Sequence, residues 1–287
     1  MQTRVNSTMT VSGAEQGSHC ITFVNEKGGT GKSTLAVHLL VSLQAQGHGV
    51  AAVDLDTRQR TLSRYLQNRQ QYHPQLPAVK VVVPPPSELD SRVEATEQEC
   101  DELRELVGEL ARDHAFVIID CPGSDSPRSR LAMTLANTLV TPLNDSFIDL
   151  DLLGQVEPEE FQVKRLSFFT ETVWQARQQR ALAKLPALDW VIARNRLTML
   201  DARNKRRMNA ALEDLQGRMA CRYVPGLAER VIYRELFPGG LTLVDLANPQ
   251  LRGVSMPRMT TSHLAARQEL RNFMVALNLP LDGPVSG

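Results

Sequence analysis

The densest chemistry in the chain lies in one run, Asn25-Glu26-Lys27-Gly28-Gly29-Thr30-Gly31-Lys32-Ser33-Thr34. Its glycines, Gly28, Gly29 and Gly31, let backbone N–H groups converge on an anion with no Cβ in the way. The run joins an apolar, β-rich stretch to a helical pattern. In that setting the first turn of the helix offers its free N–H groups and its dipole to phosphate. Lys32 would neutralise terminal phosphate oxygens, the Ser33 hydroxyl would coordinate Mg²⁺, and Thr34 would bond on the α-phosphate side. The strict spacing GxxxxGK[ST] needs glycine at position 26. This chain has glutamate there, and a second lysine, Lys27, directly before the glycine pair.

A phosphate loop hydrolyses nothing by itself. Two further apolar runs end in carboxylates: VAAVDLD (50–56) in Asp54 and Asp56, and FVIIDCPG (116–123) in Asp120. Acids at the carboxyl ends of parallel strands face the crevice where ligands bind in such sheets. The six histidines form no cluster, and Cys20, Cys100, Cys121 and Cys221 lack metal-ligand spacing. The cysteines read as reduced, small core residues of a cytosolic protein.

These residues need elements to hold them. CITFV (20–24), VAAVD (50–54), KVVV (80–83), AFVIID (115–120), NTLVTPL (137–143) and DWVIARN (189–195) read as strands. The nearly continuous apolar runs suit a parallel sheet covered on both faces. Helical spacing fills 33–47, 58–72, 90–113, about 157–180, about 201–219 and 259–277. Strand–helix alternation predicts an α/β fold, a doubly wound, mostly parallel sheet flanked by helices. The expected organisation is a flexible tail over 1–19, one domain over 20–278, and a tail over 279–287. With 32 basic and 32 acidic residues, zero net charge excludes a globally basic nucleic-acid coat but not a local patch. No apolar run is long enough to span a bilayer, and the first nineteen residues do not read as a secretory signal.

The loop Lys27-Gly28-Gly29-Thr30-Gly31-Lys32-Ser33 resembles the deviant Walker A motif of the ParA/MinD ATPases, which are P-loop NTPases. Asp120-Cys121-Pro122-Gly123 is similar to that group's Walker B and switch II, and Asp54-Leu55-Asp56 to its switch I. Within the group the resemblance is to the MipZ family, carried also by LDTRQRT (55–61), TPLNDSFIDLDLLG (141–154), TVWQARQQRAL (172–182), RVIYRELFPGGLTLVDL (230–246) and HLAARQELR (263–271). The resemblance implies a slow, Mg²⁺-dependent ATP hydrolase. Lys27 would reach across a dimer to the partner's nucleotide, in the manner of a finger supplied in trans. Asp56 would position the attacking water. Ser33 and Asp120 would serve the metal, with Asp54 in its outer shell. Lys27 through Thr34, with Asn195, Arg196 and Pro225, would form the nucleotide site, Asn195 both donating to and accepting from the adenine edge. It also implies an ATP-bound homodimer on non-specific double-stranded DNA, with a ParB-like protein and FtsZ as partners, in the cytoplasm at the nucleoid and off the membrane. A ParA-type partition ATPase and a MinD-like membrane-associated ATPase are the alternatives. Cys121 and Ser124 stand where the family usually has Thr and Gly.

Residues 194–222 hold eight basic side chains against three acidic ones. Arg194, Arg203, Lys205, Arg206, Arg207 and Arg222 are the expected DNA contacts. Arg203, Arg206 and Arg207 share a helical face. Without interleaved aromatics, duplex phosphates suit the segment better than stacked single strands.

Overall fold

A computed structural model describes residues 17–144, 146–156, 163–196, 212–251, 253 and 259–281. Nine strands run in chain order: β1 (His19–Phe23), β2 (Val50–Asp54), β3 (Lys80–Val82), β4 (Phe116–Asp120), β5 (Thr138–Asn144), β6 (Gly154–Val156), β7 (Val163–Leu166), β8 (Asp189–Asn195) and β9 (Arg222–Pro225). Seven form one sheet in the order β3-β2-β4-β1-β5-β8-β9, and every pairing in it is parallel. The order reverses beside β1, so the chain following β1 opens into the crevice between its two neighbours. Every residue of β2 and β4 is buried, as continuous apolar runs with cover on both faces require.

The helices are α1 (Lys32–Ala45), α2 (Thr61–Tyr72), α3 (Arg92–Asp113), α4 (Pro127–Leu135), α5 (Phe147–Leu150), α6 (Phe168–Leu182), helical residues 212–219 (α7), α8 (Ile232–Leu236) and α9 (Thr261–Leu277). One core packs α1, α2 and α9 on one face of the sheet. The other packs α3, α4, α6 and α7 on the opposite face. Leu270, Phe273 and Leu277 of α9 are buried in the first core, so that amphipathic face is a packing face. Among the described residues no helix is long and apolar enough to cross a membrane.

Several elements depart from the sequence reading. The helix expected from about 157 begins at Phe168, where the Ser167 hydroxyl accepts from the Thr170 N–H at 3.1 Å and caps it. Upstream of it, β6 and β7 pair antiparallel. The four-residue β9, short and only partly buried, was not expected as a strand, nor was α4 as a helix. Of the helix expected over 201–219, the described part is 212–219; the rest lies outside the described residues. β1 opens at His19, and Leu279 is buried.

Pro142 sits inside β5, where it has no N–H for a ladder. β1 pairs with β5 only as far as Val140. Beyond that point the chain of β1 leaves for the phosphate loop, and the Asn25 amide donates to the Pro142 carbonyl at 2.6 Å. The proline therefore stands where the sheet opens.

Candidate functional site

The loop from Val24 to Gly31 turns on two glycines in the left-handed region, Gly29 (φ 76°) and Gly31 (φ 91°). A Cβ on Gly31 would be driven into the Asn195 amide. Position 26 is not at positive φ, so the backbone accepts Glu26 where the strict motif has glycine. Ser124 is also outside the positive-φ region, so it stands in for glycine without backbone strain. Gly123 does need to be small: a Cβ there would lie 3.1 Å from the Gly28 nitrogen, so the turn after β4 packs directly on the glycine-rich loop.

Ser and Thr hydroxyls cap α3, α4, α5, α6 and α9. α1 instead begins after Gly31 with no side-chain cap, which leaves its first N–H groups for an external acceptor. Lys32, the first residue of that helix, is 8% exposed and donates to the Lys27 carbonyl at 3.1 Å. Burial lowers its pKa, and Asp120 and Asp56 pull it back up.

Lys27 is disposed differently. Its backbone N–H donates to the Asn25 carboxamide oxygen at 2.7 Å, while its ammonium lies half-exposed and 3.0 Å from the Asp149 carboxylate. Asp149 is held by α5, whose cap is Ser146. This acid was not among the expected site residues. Only its place inside TPLNDSFIDLDLLG could have pointed to it.

Asp54 and Asp120 face each other in register at the ends of β2 and β4. Asp54 is fully buried. It accepts from the Asp56 N–H at 3.1 Å and from both the Ser63 N–H (2.9 Å) and the Ser63 hydroxyl (2.8 Å). Its pKa is raised, burial outweighing those bonds. Asp120 is 1% exposed, and its Oδ1 is buried without a partner. Burial pushes its carboxyl up to about 7; the Ser33 hydroxyl bond opposes this, and Asp54 adds to it. Asp56 accepts from the Arg58 and Gln59 N–H groups at 3.2 and 2.9 Å and stays partly exposed at the cavity wall.

The residues present fit a magnesium ion: an orphaned carboxylate oxygen and a hydroxyl sit together beside an anion-ready loop. Among the described residues no three His, Cys, Asp or Glu side chains could hold a metal unaided. Mg²⁺ tolerates this, because it keeps waters and takes only one or two protein oxygens beside phosphate.

Two cavities share Gly31, Thr34, Thr61 and Arg196 as walls. The larger, about 700 Å³, runs between the glycine-rich loop and the turns that follow β2 and β4. Arg128 lines it, donating to the Pro84 and Pro85 carbonyls and pairing with Glu99 at 3.4 Å. The smaller, about 510 Å³, has Asn195, Leu227, Ala228 and Tyr233 in its walls and is the size of a base and sugar site.

Asn195 is 4% exposed. Its amide donates to the Thr30 carbonyl at 2.7 Å, and its oxygen accepts from the Leu227 N–H at 2.9 Å. One N–H and one lone pair remain for a base. Arg196 takes φ 49°, donates its N–H to the Leu227 carbonyl at 2.7 Å, and lies 3.9 Å from Glu229. Pro225 lines neither cavity; Leu227 and Ala228 take the wall assigned to it.

The expected DNA contacts divide. Arg203, Lys205, Arg206 and Arg207 lie outside the described residues. Arg194 lies half-buried in β8 with its Nε out of contact with solvent. Arg222 is a correction. Its guanidinium meets Asp189 at 2.9 and 2.7 Å and donates to the Ala276 and Leu277 carbonyls at the end of α9. Those acceptors occupy the donors a phosphate would need, and the residue caps a helix instead.

The family model for the ATPase MipZ matches residues 19–281. The chromosome partitioning protein ParA of Myxococcus xanthus (strain DK1622) is 29% identical over 153 residues, which is 46% of this chain and 54% of that protein. The chain thus matches about half the length of that curated relative. A plasmid partition protein from Borrelia burgdorferi B31 bound to AMPPNP superposes with a TM-score of 0.55 at 16% identity, over 90% of this chain and 99% of that one. The septum site-determining protein MinD from Pyrococcus horikoshii OT3, complexed with Mg-ADP, gives 0.51 at 18% identity, over 88% and 94%. These structures share the fold.

Proposed function

The chain belongs to the MipZ family of ATPases, and on that premise we propose that it is a slow, nucleotide-controlled dimerisation switch that holds DNA and regulates division. ATP enters the joined cavities, its base against Leu227 and Ala228 and its phosphates on the uncapped start of α1. Lys32 and the loop N–H groups carry the phosphate charge. Ser33 and Asp120 are the residues that would hold Mg²⁺, with Asp54 behind them. The ion, when bound, withdraws charge from the phosphate oxygens. Asp56 orients the attacking water, its position fixed by the Arg58 and Gln59 N–H groups.

The observation that carries this reading is the division of labour between two lysines. Lys32 is buried at the cradle, whereas Lys27 projects from its outer side onto Asp149. A lysine so placed can leave for a neighbouring copy's phosphates without disturbing its own site. Light scattering with size exclusion tests it. A non-hydrolysable ATP analogue should double the mass of the wild type but not of Lys27→Ala, and Asp56→Ala should stay dimeric in ATP. A mass independent of nucleotide refutes the switch.

Non-specific DNA binding follows as the output of the dimer. With about four phosphates contacted per subunit, raising salt from 50 to 200 mM weakens a monomer by roughly 10² and a dimer by roughly 10⁴. A monomer is then marginal at physiological salt, where a dimer with doubled contacts still holds. Arg203→Ala with Arg207→Ala should abolish DNA retention and spare dimerisation. A ParB-like protein that delivers monomers, and FtsZ as the restrained target, complete the family-based reading. Co-sedimentation of FtsZ polymer with and without the ATP-loaded protein is its direct assay.

A further inference from the structure

At the end of α1 remote from the phosphate loop lies a groove of about 430 Å³, between Ala45 of α1 and the outer side of α9. Ala45 is thirteen residues along α1 from Lys32, about 20 Å at helical rise, so the groove is separate from the nucleotide cavities. Its floor is aliphatic: Leu243, Leu270, Met274 and Leu281. Its rim is cationic, made by Arg267 and Arg271, one helical turn apart.

Among the described residues no carboxylate lines the groove. Neither guanidinium has a hydrogen-bond or ion-pair partner among the described residues. Two acids near the groove among the described residues are engaged elsewhere, Asp245 by Arg69 and Glu269 by Arg230. α9 therefore carries two stripes. The first, Ala266, Leu270, Phe273 and Leu277, is buried in the core. The second is Leu264, Arg267, Arg271 and Val275 at heptad-like spacing; its last three members line the groove, and Leu264 and Val275 are 55% and 80% exposed. It covers about three turns of helix.

We propose that this groove docks an amphipathic helix of a partner protein, with aliphatic side chains seated in the floor and carboxylates flanking them to meet Arg267 and Arg271. The floor is recessed and concave, which suits inserted side chains rather than a flat bilayer. The paired, unmatched guanidiniums select the charge of the partner. Because the site lies away from the cradle, such a partner could engage either nucleotide state.

A charge-swap experiment on the full chain tests this. The probe is a fluorescein-labelled helical peptide with leucine at i, i+4, i+7 and i+11 and glutamate on both flanks, read by anisotropy. Its counterpart has lysine for each glutamate. The glutamate peptide should bind about tenfold tighter than the lysine peptide, and Arg267→Glu with Arg271→Glu should invert that order. Val275→Asp, at an exposed position that folding does not need, should weaken the glutamate peptide at least fivefold. ATP hydrolysis and thermal unfolding should match wild type in both variants. Equal affinity for the two peptides, or no binding at millimolar concentration, overturns the proposal. So does wild-type pelleting with phosphatidylglycerol vesicles that the double variant loses while peptide binding stays unchanged. If deleting residues 282–287 tightens either peptide tenfold, the groove belongs to the chain's own end.

Discussion

Asn195 offers the sharpest separation of two roles, reading the base or pinning two loops. Its carboxamide connects the Thr30 carbonyl in the phosphate loop to the Leu227 N–H beyond β9. In Asn195→Ala both of these groups lose their partner in a site only 4% exposed. An unpaired buried polar group costs about 1–3 kcal/mol. Allowing for water entering the vacated space, the pair should cost about 2–4 kcal/mol, a fall in melting temperature of roughly 3–7 °C for a chain of this size. The loosened loop should bind ATP and GTP more weakly by the same factor, because the pinning serves the phosphates that both share. Thermal unfolding, with competition of labelled ATP by GTP, reads both quantities. A melting temperature within 2 °C of wild type, together with selective loss of ATP over GTP, would refute the pinning role and return Asn195 to the adenine edge.

Asp149→Asn should favour dimers. The pair with Lys27 is half-exposed and worth about 0.5–1 kcal/mol; with two copies releasing a lysine, the ATP-analogue dimer should tighten about 5–30-fold in sedimentation equilibrium, and an unchanged constant would contradict the release step. Arg222→Ala should cost about 1–3 kcal/mol through its lost bonds to Asp189 and the end of α9, yet leave DNA retention of the folded protein at wild-type level; filter binding showing the opposite pattern restores Arg222 to the DNA surface. His38 is fully buried, and burial holds its pKa down to about 4, with only the Thr34 carbonyl and more distant Asp245 acting the other way. Below the unfolded value of 6.5 the unfolded chain takes up a proton that the folded chain refuses, so stability present above pH 6.5 is lost as pH falls towards 4. Asp120, raised to about 7, acts in the opposite sense over the same range, so the comparison needs a variant. Between pH 7 and 5 wild type should lose about 2 kcal/mol more than His38→Gln in urea unfolding, and parallel losses would show that the imidazole is not buried neutral.

The legible parts of the fold are those where one residue pattern has one physical solution. Nearly continuous apolar runs of this length suit inner strands of a covered sheet, and VAAVD and DWVIARN are strands to the residue. The phosphate loop was legible because glycine spacing, flanking elements and lysines coincide. β9 was hidden because four half-exposed residues carry no periodicity. β7 lies inside the stretch from about 157 whose spacing imitates a helix, and the three residues of β6 just before it are too few to show a strand pattern. Asp149 and Ser63 escaped notice because an acid or a serine near a helix start reads as a cap, and only tertiary placement shows that one meets Lys27 and the other Asp54. Arg222 misled for the opposite reason. A cation in a basic segment looks free until its acceptors, which lie 33 and more than 50 positions away, come into view.

The central place of β1 also bears on synthesis. Ile21 and Phe23 end with no exposure at all, yet the first neighbour of their strand, β4, begins at Phe116 and the second at Thr138. At about 5–20 residues per second, a ribosome making this chain has displayed the apolar first strand for roughly 5–20 s before any edge exists to receive it. The strand that anchors the phosphate loop is thus the one left longest in need of a chaperone.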